Sequence, residues 1–379
     1  MTNTRKISSV LVKPAGPDCN MSCAYCFYLG KSDLYPDKKV HRMGESVLET
    51  MVQQVMSDGG RHISFGWQGG EPMLMGLPFY QKAVDLQQRY GKKQIVGNSL
   101  QTNGILVDRK WTKFLREYRF LVGLSLDGPE HVHNRYRLSR GGKNTWAWVT
   151  DTAKLLLDQG AAVNALVVVS DYSVDYPEEI YLFHKELGLN HMQFIPCVEA
   201  DKEAAAGVAP FSVPAEKYGK FLTTLFDLWI SDFAGGIPTT SIRFFESVFY
   251  SYVNQSPPEC SLLEECGNYV VVEHNGDVFP CDFFVDPELK LGNVMEGSIM
   301  EMLNSRLQRN FGARKAELPE ECLQCKWLKH CRGGCHKDRS KVISPDGKSY
   351  LCEAYRAFFE HADPIYLSLA EEWKEAGNR

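Results

Sequence analysis

From residue 8 to about residue 233, stretches with the hydrophobic spacing of strands alternate with stretches that have the hydrophobic spacing of helices. Six short runs are rich in β-branched and aromatic residues and predict strands; they cover residues 8–14, 62–68, 94–103, 120–128, 163–170 and 191–198. Amphipathic stretches with helical spacing lie between them, for example at 45–58 and 151–160. Repeated strand–helix units predict parallel strands with helical crossovers. We therefore expect an α/β fold built as a partial (β/α)6 TIM-like barrel rather than a closed eight-unit barrel.

The pattern changes again after the sixth predicted strand. An Ala/Pro-rich stretch at 199–215 predicts a loop and residues 215–233 predict a helix. An Asn-Gly turn between two β-rich runs predicts a hairpin at 269–280, and a final helix is expected at about 353–374. The expected domains are the barrel (1–235), a linker (236–258), a cysteine-rich domain (259–363) and a C-terminal helix and tail (364–379).

Composition and charge narrow the class of protein. The chain has 379 residues, is 44% hydrophobic and carries a net charge of −5, which is ordinary for a globular protein. The only dense basic patch, Arg135 to Arg140, is short, so we expect no nucleic-acid partner. No apolar run is long enough for a membrane helix, and the first residues lack the apolar segment of a signal peptide. We expect a cytoplasmic protein, in which twelve cysteines serve as metal ligands or catalytic thiols rather than disulfides.

Polar or glycine-rich segments follow each of the first four predicted strands. They are CNMSCAYC, QGGEP, QTNG and SLDGP, in chain order. Any one of them could be simple loop punctuation. In α/β barrels, however, the chemistry lies at the carboxyl ends of the strands. The four segments together therefore predict a functional site at that end of the sheet.

The first of these segments contains three cysteines in a CxxxCxxC pattern, Cys19, Cys23 and Cys26. Thiolates are the ligands that iron–sulfur clusters take, whereas a structural zinc site normally takes four ligands. Three ligands on a 4Fe–4S cubane leave one iron open. That iron can chelate the amino and carboxylate groups of a methionine-like molecule. The alternatives are an incomplete zinc knuckle and chance spacing of the cysteines.

A second set of eight cysteines lies after residue 259, enough for two sites with four thiolates each. They are Cys260, Cys266, Cys281, Cys322, Cys325, Cys331, Cys335 and Cys352. Spacing alone does not divide them between the sites, and it allows zinc as readily as iron–sulfur clusters, because CxxC pairs serve both. The remaining cysteine, Cys197, lies within a β-rich run and is expected to be a buried thiol.

Several stretches together resemble the radical S-adenosylmethionine superfamily and its SPASM extension, which carries two auxiliary 4Fe–4S clusters. Within that group the chain is most similar to the anaerobic sulfatase-maturating enzymes. The stretches are CNMSCAYCFYL (19–29), FGWQGGEPML (65–74), SLQTNG (99–104), LSLDGPEHVHNRYR (124–137), QFIPCVE (193–199), NGDVFPCDFFVDP (275–287) and CLQCKWLKHCRGGC (322–335).

The resemblance implies a role for each matching position. It makes Cys19, Cys23 and Cys26 the ligands of the catalytic cluster. The positions that match the S-adenosylmethionine site are Tyr25, Gly70, Ser125, Arg137 and Val198. The first auxiliary cluster takes Cys260, Cys266, Cys281 and Cys335, and the second takes Cys322, Cys325, Cys331 and Cys352. Without the resemblance, Arg137 would more readily be interpreted as part of a solvated basic face.

The resemblance also implies the reaction. Reductive cleavage of S-adenosylmethionine to methionine and a 5′-deoxyadenosyl radical precedes removal of a β-hydrogen from Cys or Ser in an unfolded sulfatase segment of CxPxR or SxPxR type. Asp282 matches the base that takes the SH or OH proton, and the product is Cα-formylglycine. Tyr28 and Gln68 match positions that border the substrate. The electron donor is expected to be a low-potential protein of flavodoxin or ferredoxin type. Without the resemblance, Asp282 would more readily be interpreted as a surface or capping residue.

Two alternatives remain at the level of sequence. Other SPASM enzymes form thioether or carbon–carbon crosslinks in peptides, and these would share the fold. A zinc-stapled binding module without enzymatic activity would share the C-terminal thiols but would leave the three-cysteine loop and GGEP unexplained.

Overall fold

The computed structural model describes residues 4–36, 38–201, 203–204 and 207–377. Parts of the predicted 199–215 loop and of the predicted tail therefore lie outside the described residues. The strands are β1 (Ile7–Lys13), β2 (Gly59–Trp67), β3 (Ile95–Thr102), β4 (Leu121–Ser125), β5 (Ala162–Val169), β6 (His191–Pro196), β7 (Phe233–Ala234), β8 (Ile237–Pro238), β9 (Ser241–Ile242), β10 (Val270–Glu273), β11 (Asp277–Phe279) and β12 (Gly292–Asn293). The helices are α1 (Glu45–Asp58), α2 (Leu77–Tyr90), α3 (Arg109–Glu117), α4 (Glu130–Tyr136), α5 (Trp146–Asp158), α6 (Pro177–Glu186), α7 (Ala215–Ser231), α8 (Arg243–Tyr252), α9 (Ile299–Leu303), α10 (Arg306–Ala313), α11 (Glu320–Leu323), α12 (Leu328–Cys331) and α13 (Cys352–Gly377).

All six predicted strands are present as β1 to β6, and helices separate them along the chain. The helix predicted to end near Gly160 is α5, and Gly160 has a φ of 72° directly after it. That left-handed conformation suits glycine, which has no Cβ to clash with the preceding turn. The α/β class, the parallel sheet and the long C-terminal helix are confirmed.

Two compact units make up the chain, and they are interleaved in sequence. The first contains Met1–Ser125, Arg137–Val163 and Gly267–Gly312, and the second contains the remaining segments. The predicted division into contiguous domains is based on composition and stays a prediction. The predicted linker holds helix α8, in which Phe244, Phe245 and Val248 are buried at helical spacing.

In the first unit the strand order is β12-β11-β10-β1-β2-β3-β4. Strands β1 to β4 pair in parallel. The predicted Asn-Gly hairpin is present as β10 and β11, with Val271 opposite Phe279. Its first strand pairs in parallel with β1, so that Lys13 lies beside Glu273. The hairpin therefore extends the sheet on the far side of β1, which the sequence did not predict.

An aromatic cluster fills the core of the first unit beside the sheet. The fully buried Tyr80 contacts Trp67, Trp111 and Phe120 in edge-on geometry. Such edge-to-face ring contacts add to the free energy gained by burying the rings. The end of β2, from which the GGEP segment continues, therefore packs on buried aromatic rings.

In the second unit β5, β6 and β9 pair in parallel, and helices α7 and α13 pack against each other. Phe226 of α7 is buried against Phe245 and Phe358. No helix in the described part of the chain is long and apolar enough to span a membrane.

The added hairpin gives a stability prediction. Val271 is fully buried in a cluster with Tyr28, Phe279 and Val285. Val271→Thr keeps the shape but buries a hydroxyl, which should lower the free energy of unfolding by about 1–3 kcal/mol. The urea midpoint of the anaerobically prepared protein measures this, and Val40→Thr, at a position that is 60% exposed, is the control. Equal midpoints for both variants would contradict the burial of Val271.

Candidate active site

Hydrogen-bond donors from three segments of the chain lie near the cysteine sulfurs of the loop after β1. The Met21 N–H lies 3.4 Å from Cys19 Sγ and Asn103 Nδ2 lies 3.7 Å from the same sulfur. The guanidinium of Arg137 lies 4.0 Å from Cys23 Sγ. Donors and a cation around sulfur atoms favour thiolates, the form in which cysteine binds iron. Burial raises the pKa of Cys19 to about 12, so a bound cation must displace its proton.

The GGEP segment packs directly against this loop. Gly70 N donates to Gly16 O at 2.9 Å, and Glu71 N donates to Asp18 O at 2.7 Å. A Cβ on Gly70 would lie only 2.1 Å from the Asp18 carbonyl oxygen. Glycine is required here because two backbone segments approach more closely than any side chain permits. The CxxxCxxC loop and GGEP are therefore one structural unit.

Glu71 connects this unit to the end of β3. Its carboxylate accepts from Thr102 Oγ1 at 2.8 Å, from Asn103 N at 2.9 Å and from Met73 N at 3.0 Å. Burial raises the pKa of Glu71 to about 7. Glu71 was not among the predicted site residues, although the GGEP motif contains it. The buried Glu71 carboxylate holds the end of β3 by its hydrogen bonds from Thr102 and Asn103.

The residues expected to hold S-adenosylmethionine are mostly buried. Ser125 ends β4, and Arg137 is 7% exposed with its guanidinium carbon 5.5 Å from the centre of the Tyr25 ring. Arg137 is therefore not part of a solvated basic face. Val198, in the second unit, is buried and its carbonyl accepts a hydrogen bond from Lys337.

Asp282 follows the hairpin and meets residues far away in sequence. Gln68 Nε2 donates to Asp282 Oδ2 at 3.0 Å, and the Tyr269 hydroxyl donates to Asp282 Oδ1 at 3.2 Å. Cys281 Sγ lies 3.5 Å from Asp282 Oδ1. The structure thus brings together Gln68, Cys281 and Asp282, which the sequence placed in one site by resemblance alone. A plain surface aspartate would not have these neighbours.

A buried lysine lies beside this group. Lys13 is fully buried, its ammonium is 3.7 Å from the centre of the Tyr28 ring, and it lies 3.4 Å from the Asp282 carbonyl oxygen. Burial lowers the pKa of Lys13, while Asp282 and the neighbouring Glu273 act in the opposite direction. Neither Lys13 nor Glu273 was predicted. Each is the last residue of its strand, and the apolar pattern of those strands did not indicate a buried charge.

Tyr28, expected to border the substrate, is only 2% exposed. Its hydroxyl hydrogen-bonds the carboxylate of Glu273, and burial raises its pKa well above the usual value. Substrate contact by Tyr28 stays a prediction. Its ring packs in the cluster that also holds Val271 and Phe279.

The four cysteines expected to form the second auxiliary site line one cavity of about 70 Å³ in the second unit. They are Cys322, Cys325, Cys331 and Cys352. Three cysteines of the first auxiliary set, Cys260, Cys266 and Cys335, all act electrostatically on Lys315. Burial lowers the pKa of Lys315 to about 8 and the nearby thiols oppose this. The division of the eight cysteines between two sites stays a prediction.

The twelve cysteines are thiols in the structure, and Cys197 is buried as expected. Within the described residues, no three His, Cys, Asp or Glu side chains are placed to share a single metal ion. The thiolate chemistry of the donor sets and the cavity lined by four cysteines fit iron–sulfur clusters.

Comparison with known proteins gives the class first. Residues 14–184 match the model of the radical SAM superfamily, and residues 260–326 match the SPASM model, described as an iron–sulfur cluster-binding domain. Together with the three-cysteine loop after β1, this defines an iron–sulfur enzyme that uses S-adenosylmethionine.

Full-length relatives define the family. The chain is 38% identical to a serine-type anaerobic sulfatase-maturating enzyme of Bacteroides thetaiotaomicron, over 96% of this chain and 91% of the relative. It is 38% identical to a cysteine-type enzyme of Clostridium perfringens, over 97% of this chain and 99% of the relative. The solved structure of native anSMEcpe with bound AdoMet and Kp18Cys peptide matches with a TM-score of 0.89 and 37% identity, covering 96% and 99% of the two chains. The chain belongs to the family of anaerobic sulfatase-maturating enzymes.

The close approach at Gly70 gives a test of the loop. Gly70→Ala places a methyl group against the Asp18 carbonyl and should displace the cysteine loop. We expect less iron per chain and weaker absorbance near 400 nm than in the wild type. Gly44→Ala is the matched control, because a Cβ on Gly44 meets nothing within 4 Å. Wild-type iron content in Gly70→Ala would show that the approach does not hold the loop.

Proposed function

We propose that this enzyme oxidises the β-carbon of a Cys or Ser side chain to Cα-formylglycine in an unfolded sulfatase segment of CxPxR or SxPxR type. The observation that carries the proposal is the position of Asp282, whose carboxylate lies beside Cys281 and is held by Gln68. A proton acceptor therefore adjoins a candidate cluster ligand. The names of the relatives, both serine-type and cysteine-type maturating enzymes, support the substrate class.

The chemistry needs a radical step. The β-hydrogen of Cys or Ser is far too weak an acid to leave as a proton at neutral pH. When bound at Cys19, Cys23 and Cys26, a reduced 4Fe–4S cluster with S-adenosylmethionine supplies the oxidant that removes this hydrogen as an atom. The chain's own residues then have two tasks, which are to hold the reactants and to accept the remaining proton.

Five residues are proposed to hold S-adenosylmethionine. Arg137 offers a forked cation to the carboxylate, and its burial strengthens that contact. The N–H of Gly70 is already bound to Gly16, so the carbonyl of Gly70 is the group that accepts from the amine. The proposed set is Tyr25, Gly70, Ser125, Arg137 and Val198.

Asp282 is proposed as the base for the substrate SH or OH. Each carboxylate oxygen can accept two hydrogen bonds, so the bond from Gln68 leaves Asp282 able to accept the substrate proton. Cysteine then gives a thioaldehyde that water converts to formylglycine, and serine gives formylglycine directly. Gln68 and Tyr28 are proposed to border the substrate.

The two C-terminal cysteine sets are proposed to hold one 4Fe–4S cluster each, giving three clusters and about twelve irons per chain. A cluster held in part by Cys281 would supply an acceptor for the electron left on the substrate carbon. A low-potential protein of flavodoxin or ferredoxin type is proposed to reduce the catalytic cluster. A reducing compartment such as the cytosol keeps the thiols available.

The proposed function is tested by product mass. The reconstituted enzyme is incubated with S-adenosylmethionine, a reductant and either a CxPxR or an SxPxR peptide. Formylglycine from cysteine exchanges sulfur for oxygen and loses two hydrogens, whereas a crosslink loses two hydrogens only. A product that retains sulfur in the CxPxR peptide would instead identify a crosslinking enzyme.

Asp282→Asn tests the base. The amide keeps the shape and cannot take the proton, so formylglycine formation should fall by about 10²–10⁴-fold, while iron content stays unchanged. Asp286→Asn, at an exposed position nearby, is the control and should behave as the wild type. Formylglycine formation at the wild-type rate by Asp282→Asn would remove Asp282 as the base.

A further inference from the structure

Asp282 has a second neighbour that the sequence did not single out. The Tyr269 hydroxyl lies 3.2 Å from Asp282 Oδ1 and 3.5 Å from Cys281 Sγ. A phenol carries one donor hydrogen, so this hydrogen serves a carboxylate and a sulfur at once. Tyr269 is the residue just before β10 and is half-buried.

The backbone around Tyr269 is fixed by one side chain. Gln308, fully buried on α10, donates to the carbonyl of Tyr269 at 3.0 Å and to that of Gly267 at 2.9 Å. Gly267 has a φ of 79°, and a Cβ there would lie 3.1 Å from Gln308 Nε2, so a side chain at this position would disturb the contact. The Tyr269 ring also packs against the cluster of Tyr28, Val271, Phe279 and Val285. The position of the hydroxyl is therefore fixed by the hydrogen bond from Gln308 to the Tyr269 backbone and by the packing of the Tyr269 ring.

The Asp282 carboxylate is held at both oxygens by different elements. Gln68, after β2, donates to Oδ2, and Tyr269, before β10, donates to Oδ1. Two donors on opposite oxygens fix the rotation of the carboxylate, which one donor would leave able to turn. Oδ2, which accepts from Gln68, still has a lone pair for the proton of the substrate. The arrangement orients the carboxylate without occupying it fully.

We propose that Tyr269 is a positioning residue that holds the Asp282 carboxylate in register with the Cys281 sulfur; this rests on the function proposed above. Its hydroxyl fixes the carboxylate relative to the Cys281 sulfur, so that the proton acceptor and the candidate cluster ligand lie side by side at the substrate side chain. A hydrogen bond to a thiolate also raises the reduction potential of the cluster that the thiolate holds. Loss of the hydroxyl therefore has an electrochemical consequence besides its effect on turnover.

Tyr269→Phe removes only the hydroxyl and keeps the ring. We expect wild-type iron content and an unchanged KM for the peptide, because neither the cysteines nor the peptide contacts are altered. Formylglycine formation should fall by about tenfold or more, the effect of losing one hydrogen bond to a charged group. Formation of 5′-deoxyadenosine should continue, so the ratio of 5′-deoxyadenosine to formylglycine rises. A redox titration should find one auxiliary cluster at a lower potential.

Tyr118→Phe is the matched control, because Tyr118 is 36% exposed on the surface of the same unit, and it should match the wild type in every measurement. A Tyr269→Phe enzyme with wild-type turnover and ratio, beside an inactive Asp282→Asn enzyme, overturns the positioning role and leaves the proposed function intact. Loss of iron in Tyr269→Phe overturns it as well, since Tyr269 would then hold the cluster site together. An active Asp282→Asn enzyme overturns the proposed function itself.

Discussion

The parallel pairing of β10 with β1 is the interaction on which the candidate base site depends. It places Lys13 beside Glu273 at the carboxyl ends of the two strands. The turn and β11 that follow lead to Cys281 and Asp282, and Gln68, directly after β2, donates a hydrogen bond to Asp282. Without this pairing, residues more than 200 positions apart would share no site.

The pairing has an electrostatic cost that the protein offsets locally. A lysine and a glutamate buried at neighbouring strand ends are both removed from water, which is expensive for each charge. The Lys13 ammonium lies over the Tyr28 ring, and the Tyr28 hydroxyl donates a hydrogen bond to Glu273. Cation–π attraction and a charge-assisted hydrogen bond compensate part of that cost. Tyr28, two residues after the three-cysteine loop, therefore stabilises the buried charges beside the base site.

Much of the fold could be predicted from the sequence because strands and helices have different hydrophobic periods. The six strands from β1 to β6, the hairpin at Asn275–Gly276 and the C-terminal helix were all predicted. The partner of the hairpin was not, because an apolar strand pattern defines which face is buried but not which strand lies alongside. Lys13, Glu273 and Tyr269 were missed for the same reason, since their importance arises only from that pairing.

The candidate site was predicted in two different ways. The three-cysteine loop and GGEP carry their own chemistry, and the contact of Gly70 with Asp18 explains why they occur together. The division of the C-terminal cysteines could not come from spacing, because ligands separated by long loops meet only in the folded chain. Cys322, Cys325, Cys331 and Cys352 line one cavity, and the full division between two sites stays what the family resemblance implies.

The most direct measurement is an anaerobic crystal structure of the reconstituted enzyme with S-adenosylmethionine and a CxPxR peptide. The central claim is that Asp282 takes the substrate proton beside the sulfur of Cys281. The account predicts the substrate sulfur within hydrogen-bond reach of the Asp282 carboxylate, directly or through one water. A substrate sulfur that faces another titratable group, with Asp282 turned away from it, would contradict the account.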